Sequence, residues 1–241
     1  MLSRIASRMI IEMRTDTPAT VRINKSTLRK GLNFLSVRDP DLAALLQTLG
    51  PPPIWARDPG FPTLIHIILE QQVSLASAKA AFDRLAAAIP QLTPAAFLTL
   101  NDEQLKSIGF SRQKTAYVRN LAESLLDGRL RLDDIHNSDD DTARLELLKL
   151  KGIGHWTIDI YLLMALGRPD IWPIGDLALA IALQRVKGLQ MRPRPIEMEQ
   201  FAISWRPWRA VAARLLWHYY LSNQFPRTTR TKTTPLSNSN S

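Results

Sequence analysis

The sequence predicts an all-α protein, and three observations carry that prediction. Apolar residues recur at helical spacing through most of the chain. Prolines, glycines and capping residues punctuate those runs where helices start and stop. No stretch alternates apolar and polar residues strongly enough to predict a sheet.

In chain order, residues 1–35 mix basic residues with Thr, Ser and Asn and give no clear pattern. Asp39-Pro40-Asp41 predicts a helix start, running to Leu49 before Gly50-Pro51-Pro52-Pro53 ends it. Thr63 to Val73 and Leu75 to Ile89 follow at helical spacing. Thr93-Pro94 reads as a cap and first-turn proline. Asn101-Asp102-Glu103 opens a helix to Ile108, and Ser111 to Lys114 opens another to Leu126. Asp139 to Asp141 precede a helix reaching Leu150, and His155 starts one reaching Leu166. Leu177 to Val186, Pro195 to Phe201 and Pro207 to Leu221 complete the set. The predicted organisation is an N-terminal segment, 1–54, partly disordered or packed on the body; a helical body, 55–223; and a disordered basic tail, 224–241.

Bulk properties narrow the function. The 241 residues carry 31 Lys and Arg against 22 Asp and Glu, a net charge of +9, which favours a polyanionic partner such as nucleic acid. The absence of cysteine excludes disulfides, thiolate zinc sites and cysteine-ligated iron–sulfur clusters. Four dispersed histidines predict no dedicated metal site. No apolar run reaches transmembrane length, so an intracellular protein with no membrane association is expected.

Leu150-Lys151-Gly152-Ile153-Gly154-His155-Trp156 lies between two helical runs. Its glycines permit a tight turn, Ile153 can plug between the helices, and exposed amides at the next helix start can meet a phosphate. Lys149, Lys151 and His155 add charge around the turn. The same residues suit an ordinary αα-hairpin with a buried isoleucine. Arg112 and Lys114 are candidate phosphate contacts or a charged helix start. Asp176, after the Pro173/Gly175 turn, reads equally as a helix N-cap and as a catalytic carboxylate.

The segment LLKLKGIGHWTIDIYLLMALGRPDIWPIGDL (Leu147 to Leu177) resembles the signature of the helix–hairpin–helix DNA glycosylases, in the DNA-3-methyladenine glycosylase II branch that acts on alkylated bases. The resemblance extends to IILEQQVS (Ile67 to Ser74), LKSIGFSRQK (Leu105 to Lys114), WRPWR (Trp205 to Arg209) and LWHY (Leu216 to Tyr219), covering roughly residues 55–222. It implies two helical lobes with an active-site cleft between them. It implies that Asp176 faces a flipped nucleotide, stabilises charge developing on the deoxyribose and orients the water attacking C1′. Bifunctional relatives carry a Schiff-base lysine at the position of Trp156, so the resemblance implies a monofunctional enzyme.

Trp156 and Trp217 match aromatic positions of the alkylated-base pocket, with Trp172, Tyr161 and Trp55 as weaker candidates. His218 and Ile160 stand where a relative has tyrosines. The tryptophans near the C-terminus also recur at spacing that suits a core. Gln72 matches the residue that fills the hole left by the flipped base. Hairpins of this kind use a monovalent cation, K+ or Na+, and no other cofactor is implied. The expected partner is double-stranded DNA containing damaged bases, bound by a monomer, in the cytoplasm or nucleoid of a bacterium or the nucleus of a eukaryote. Three other readings stay open: a glycosylase for deaminated or etheno-adenine lesions, a noncatalytic DNA-binding module with Asp176 as a cap, and a helical scaffold.

Overall fold

The structure is a computed structural model that describes residues 21–224. The basic N-terminal stretch and nearly all of the predicted tail lie outside the described residues. Within them the regular structure is helical throughout.

The first helix was not foreseen. α1 (Lys25–Arg38) starts at Asn24, whose side chain accepts from the Ser26 and Thr27 amides while the Thr27 hydroxyl accepts the Asn24 N–H. Its buried stripe is Leu28, Gly31, Leu32 and Leu35. A Cβ on Gly31 would meet Val211 at 2.8 Å and Trp208 at 2.9 Å, so this glycine lets α1 approach the C-terminal helix closely. α2 (Pro40–Leu49) begins at Asp39, as its proline and acid predict. Asp39 caps two amides of α2 and accepts from Lys187 at 2.7 and 2.8 Å and from the Trp205 indole at 2.8 Å. Burial raises its pKa, but the bonds from Lys187, Trp205 and Leu42 outweigh that and hold the carboxyl below its ordinary value.

One group of helices comprises α3 (Phe61–Glu70), α4 (Leu75–Ala88), α5 (Pro94–Leu98), α6 (Asp102–Ile108) and α7 (Arg112–Leu126). α3 packs on α4 and α7 and is buried along most of its length. The loop into α3 is tied down by Arg57, which grips Glu70 through two bonds. α8 (Leu132–Asn137), unforeseen, and α9 (Asp140–Leu148) lead to the hairpin. α10 (His155–Ile160) packs on α3. The predicted single helix to Leu166 widens into a π-turn over Tyr161–Ala165, closed by Leu166 N–H donating to Tyr161 O.

The second group contains α11 (Leu177–Val186), α12 (Pro195–Ile203) and α13 (Arg209–Gln224), with α1 and α2 packed on α13. The described part of the N-terminal segment therefore shares the core of the body. Arg214 is buried in α13 and donates to the carbonyls of Ile54, Leu163 and Ala210, joining three chain segments. Burial pushes its guanidinium down to about 10.

The interior also makes stability depend on pH. His66 stacks on Phe82 with ring centroids 4.4 Å apart. Burial lowers the pKa of His66 although Glu70 opposes the shift, and burial lowers that of His136 too. The unfolded chain takes up these protons near pH 6.5, where the folded chain resists them. More protons bind to the unfolded state in that window, so stability falls as pH drops below about 6.5. Thermal melts should show Tm decreasing from about pH 7.5 to about pH 5.5; a flat Tm over that range contradicts this reading.

Candidate active site and hairpin

Asp176 sits where a turn delivers the chain to α11. Gly175 takes φ +83°, a left-handed conformation, and Asp176 N–H donates to Pro173 O. Its carboxylate then accepts three N–H bonds. Oδ1 takes the Leu179 amide at 2.8 Å and the Trp217 indole at 3.1 Å; Oδ2 takes the Trp156 indole at 2.9 Å. A carboxylate offers about four acceptor positions, so roughly one remains, on Oδ2. The residue is 9% exposed. The N-cap reading of Asp176 is met, with further bonds beside it. It caps α11, and it is also held from α10 and from α13 by donors that a cap does not require.

The two tryptophans are brought together from positions 20 and 41 residues away. Trp156 is half-buried near the start of α10, and Trp217 is nearly buried in α13. His218 is half-buried beside Trp217.

Three expectations need correction. Trp172 is core, packed edge-on to Trp205 with centroids 5.4 Å apart. Tyr161 is also core: its hydroxyl accepts the Gly60 amide and shares a hydrogen bond with His136, and burial pushes its phenol up to about 12. Neither ring is free to wall a pocket. The ammonium of Lys114 donates to Leu69 O at 2.7 Å and Gln71 O at 2.9 Å. It serves carbonyls at the end of α3 in place of the expected open phosphate contact. The remaining weaker candidate, Trp55, is half-buried with φ 49°, and Ile160, which stands where a relative has tyrosine, is buried.

The hairpin matches its sequence closely. Ile153 is buried, while Lys151, Gly154 and His155 are exposed. Gly154 makes no side-chain cap, so the first amides of α10 are left without a side-chain acceptor there. Lys149 is paired with Glu146 at 2.7 Å, which tempers its charge. Arg112 is exposed at the first position of α7.

Sequence reasoning missed the neighbours of this turn. The Tyr117 ring occupies the space beside Gly152, and its hydroxyl accepts from Gln113. Gln71 bonds the hairpin directly. These residues, with Gln72 and Lys114, line a cavity of about 320 Å³ against Gly152-Ile153-Gly154. Its signal in the sequence was slight: Gln113 and Tyr117 are four apart on one helix face.

Gln72 is exposed at the turn between α3 and α4 and holds φ +58°, a conformation costly for a residue with a Cβ. Gln72→Gly should therefore stabilise the fold by up to about 1 kcal/mol while removing the side chain from the surface. A melt reads the first effect, and a lower Tm for this variant would contradict the strain.

Among the described residues, no group of three His, Cys, Asp or Glu could hold a metal ion. No described helix is long and apolar enough to cross a membrane.

Two helices, α9 and α10, joined by the tight Gly152-Ile153-Gly154 turn within a helical fold make a helix–hairpin–helix arrangement. The chain belongs to the HhH-GPD superfamily of base excision DNA repair proteins, whose family model matches residues 65–208. It is 31% identical over 126 residues to the alkylbase DNA glycosidase-like protein mag2 of Schizosaccharomyces pombe, covering 52% of this chain and 59% of that protein. It is 25% identical over 158 residues to DNA-3-methyladenine glycosylase 1 of the same yeast, covering 64% of this chain and 69% of that protein. The chain spans 56% of the length of the putative DNA-3-methyladenine glycosylase YfjP of Bacillus subtilis and 59% of that of mag2, less than two thirds of either. The fold is similar to the 3-methyladenine DNA glycosylase Mag1 of S. pombe in complex with abasic DNA, with TM-score 0.75 and 22% identity over 82% of this chain and 98% of that one.

Proposed function

We propose that the chain is a monofunctional DNA glycosylase that hydrolyses the N-glycosidic bond of alkylated purines, of the 3-methyladenine and 7-methylguanine type, in duplex DNA. This is the first step of base excision repair. The observation that carries the reading is the Asp176 carboxylate, fixed by Trp156 and Trp217 as well as by its own helix. The names of the relatives and the DNA in the Mag1 structure support it.

In this reading the hairpin amides of Gly152-Ile153-Gly154 and the exposed Lys151 and His155 hold a backbone phosphate without reading sequence. A K+ or Na+ ion at the turn fits the same contact. Gln72 fills the gap left by the extruded nucleotide, and Arg112 adds a phosphate contact. Faces of Trp156 and Trp217, with His218 nearby, receive the base. A purine alkylated at N3 or N7 is cationic, so it stacks favourably on indole and leaves readily without strong acid catalysis. Asp176 then acts at the sugar. Its remaining acceptor position on Oδ2 stabilises charge at C1′ or orients the incoming water.

No Schiff base is expected, because the position that would need an amine holds Trp156, whose indole N–H already donates to Asp176. The protein acts as a monomer, in the compartment that holds its DNA: cytoplasm or nucleoid in a bacterium, nucleus in a eukaryote.

Chromatography of the bases released from methylated duplex DNA tests the substrate. Release of 3-methyladenine and 7-methylguanine is expected. Preferential release of hypoxanthine or ethenoadenine moves the enzyme to the alternative lesion class. Salt-sensitive duplex binding with no base released leaves only a noncatalytic DNA-binding module.

A further inference from the structure

The turn bearing Gln72 is bolted to the hairpin. The Gln71 amide nitrogen donates to Gly152 O at 3.0 Å and to the Thr157 hydroxyl at 2.9 Å. These partners lie 81 and 86 residues away, inside the turn and in the first turn of α10. From the other side, Lys114 of α7 donates to Gln71 O and Leu69 O. Gln72 is thus held at φ +58° between a residue anchored twice by side chain and twice by backbone, and the start of α4. A strained conformation of this kind persists only where its surroundings over-determine it.

We infer that Gln71 is a positioning residue that couples the hairpin's hold on the backbone to the insertion of Gln72, so that docking of the one sets the height of the other. The inference rests on the function proposed above. A wedge on an unanchored turn would yield when pushed into a base stack; a wedge latched to the hairpin transmits the hairpin's binding to the extrusion step. Gln71 touches neither the base nor the sugar in this account. It acts through Gln72.

Gln71→Met keeps the side chain's length and removes both donated bonds. The coupling predicts a loss confined to substrates that must be unstacked. Single-turnover base release from a fully paired alkylated duplex should fall by about tenfold. Release from the same lesion in a small bulge, where the base is already unpaired, should change by less than about twofold, as should affinity for undamaged duplex. Gln72→Ala should lower release from the paired substrate as well, and adding Gln71→Met to it should cost little more, because both changes break one device. Thr157→Val removes one of the two acceptors with little change in shape. It should move the paired substrate in the same direction by a smaller factor, and it carries the test if Gln71→Met fails to fold.

Equal losses on paired and bulged substrates, a loss of affinity in place of rate, or full additivity with Gln72→Ala would each overturn the inference. In those cases the wild type is still active. A wild type that releases no base from either substrate is a different result: it overturns the glycosylase reading and takes this inference with it.

Discussion

Asp176→Asn is expected to lower base release by about 100-fold or more while duplex affinity is retained. The shape is nearly conserved, and asparagine is as good an N-cap as aspartate. What changes is the acceptor inventory. An asparagine oxygen at the Oδ1 site can still accept from Leu179 and Trp217, but its NH₂ then faces the Trp156 indole N–H, donor against donor. The charge available to a developing oxocarbenium ion disappears at the same time. Affinity for DNA should hold or rise, because a negative group beside a polyanion has been neutralised. Single-turnover rates and a binding titration on the same lesion duplex separate the two effects. Wild-type activity in this variant would reduce Asp176 to a cap.

Gly152→Ala should be the most damaging change in the hairpin, and Gly154→Ala a very different one. Gly152 has φ +88°, and a Cβ there would land on the Tyr117 ring. Backbone strain and overlap together should cost about 3 kcal/mol, and DNA affinity should fall with the distorted turn. Tyr117→Ala in the same chain removes the overlap but not the strain, so it should restore only part of the stability. Gly154 has φ −100°, with open space where a Cβ would go. Gly154→Ala should leave stability within about 0.5 kcal/mol yet weaken duplex binding, since the new methyl projects where a phosphate backbone would approach. Melting curves paired with binding curves for both variants check this division. If the two behave alike, the glycines do not have separate tasks.

That division also shows what was legible in advance. The Gly-Ile-Gly turn and its buried isoleucine were readable, because tight turns and capped helices are governed by local chemistry. The same holds for Asp39, Thr93, Asn101, Ser111, Asp139 and Asp176, each of which caps the helix it was expected to start. α1 carries a weak sequence signature because its capping box uses Thr27 in place of an acid or amide, and its stripe is interrupted by Gly31. Leu28, Leu32 and Leu35 nonetheless keep helical spacing. The roles of Tyr161, Trp172 and Lys114 were not legible. An aromatic ring or a lysine has the same sequence signature in a core, at a cap or in a pocket, and only tertiary contacts distinguish them. The convergence of Trp156 and Trp217 on Asp176 is of that kind. Composition shows that tryptophans are plentiful, but the hydrogen bonds that hold the Asp176 carboxylate depend on three helices meeting.

The most direct test of water-driven base removal follows the strand itself. An end-labelled duplex with one alkylated purine is incubated with the protein and divided, half treated with alkali and half not. The account predicts an intact strand in the untreated half, cleavage at the lesion in the alkali-treated half, and no adduct trapped by borohydride. Cleavage without alkali accompanied by a trapped adduct, or no alkali-labile site at all, would contradict it.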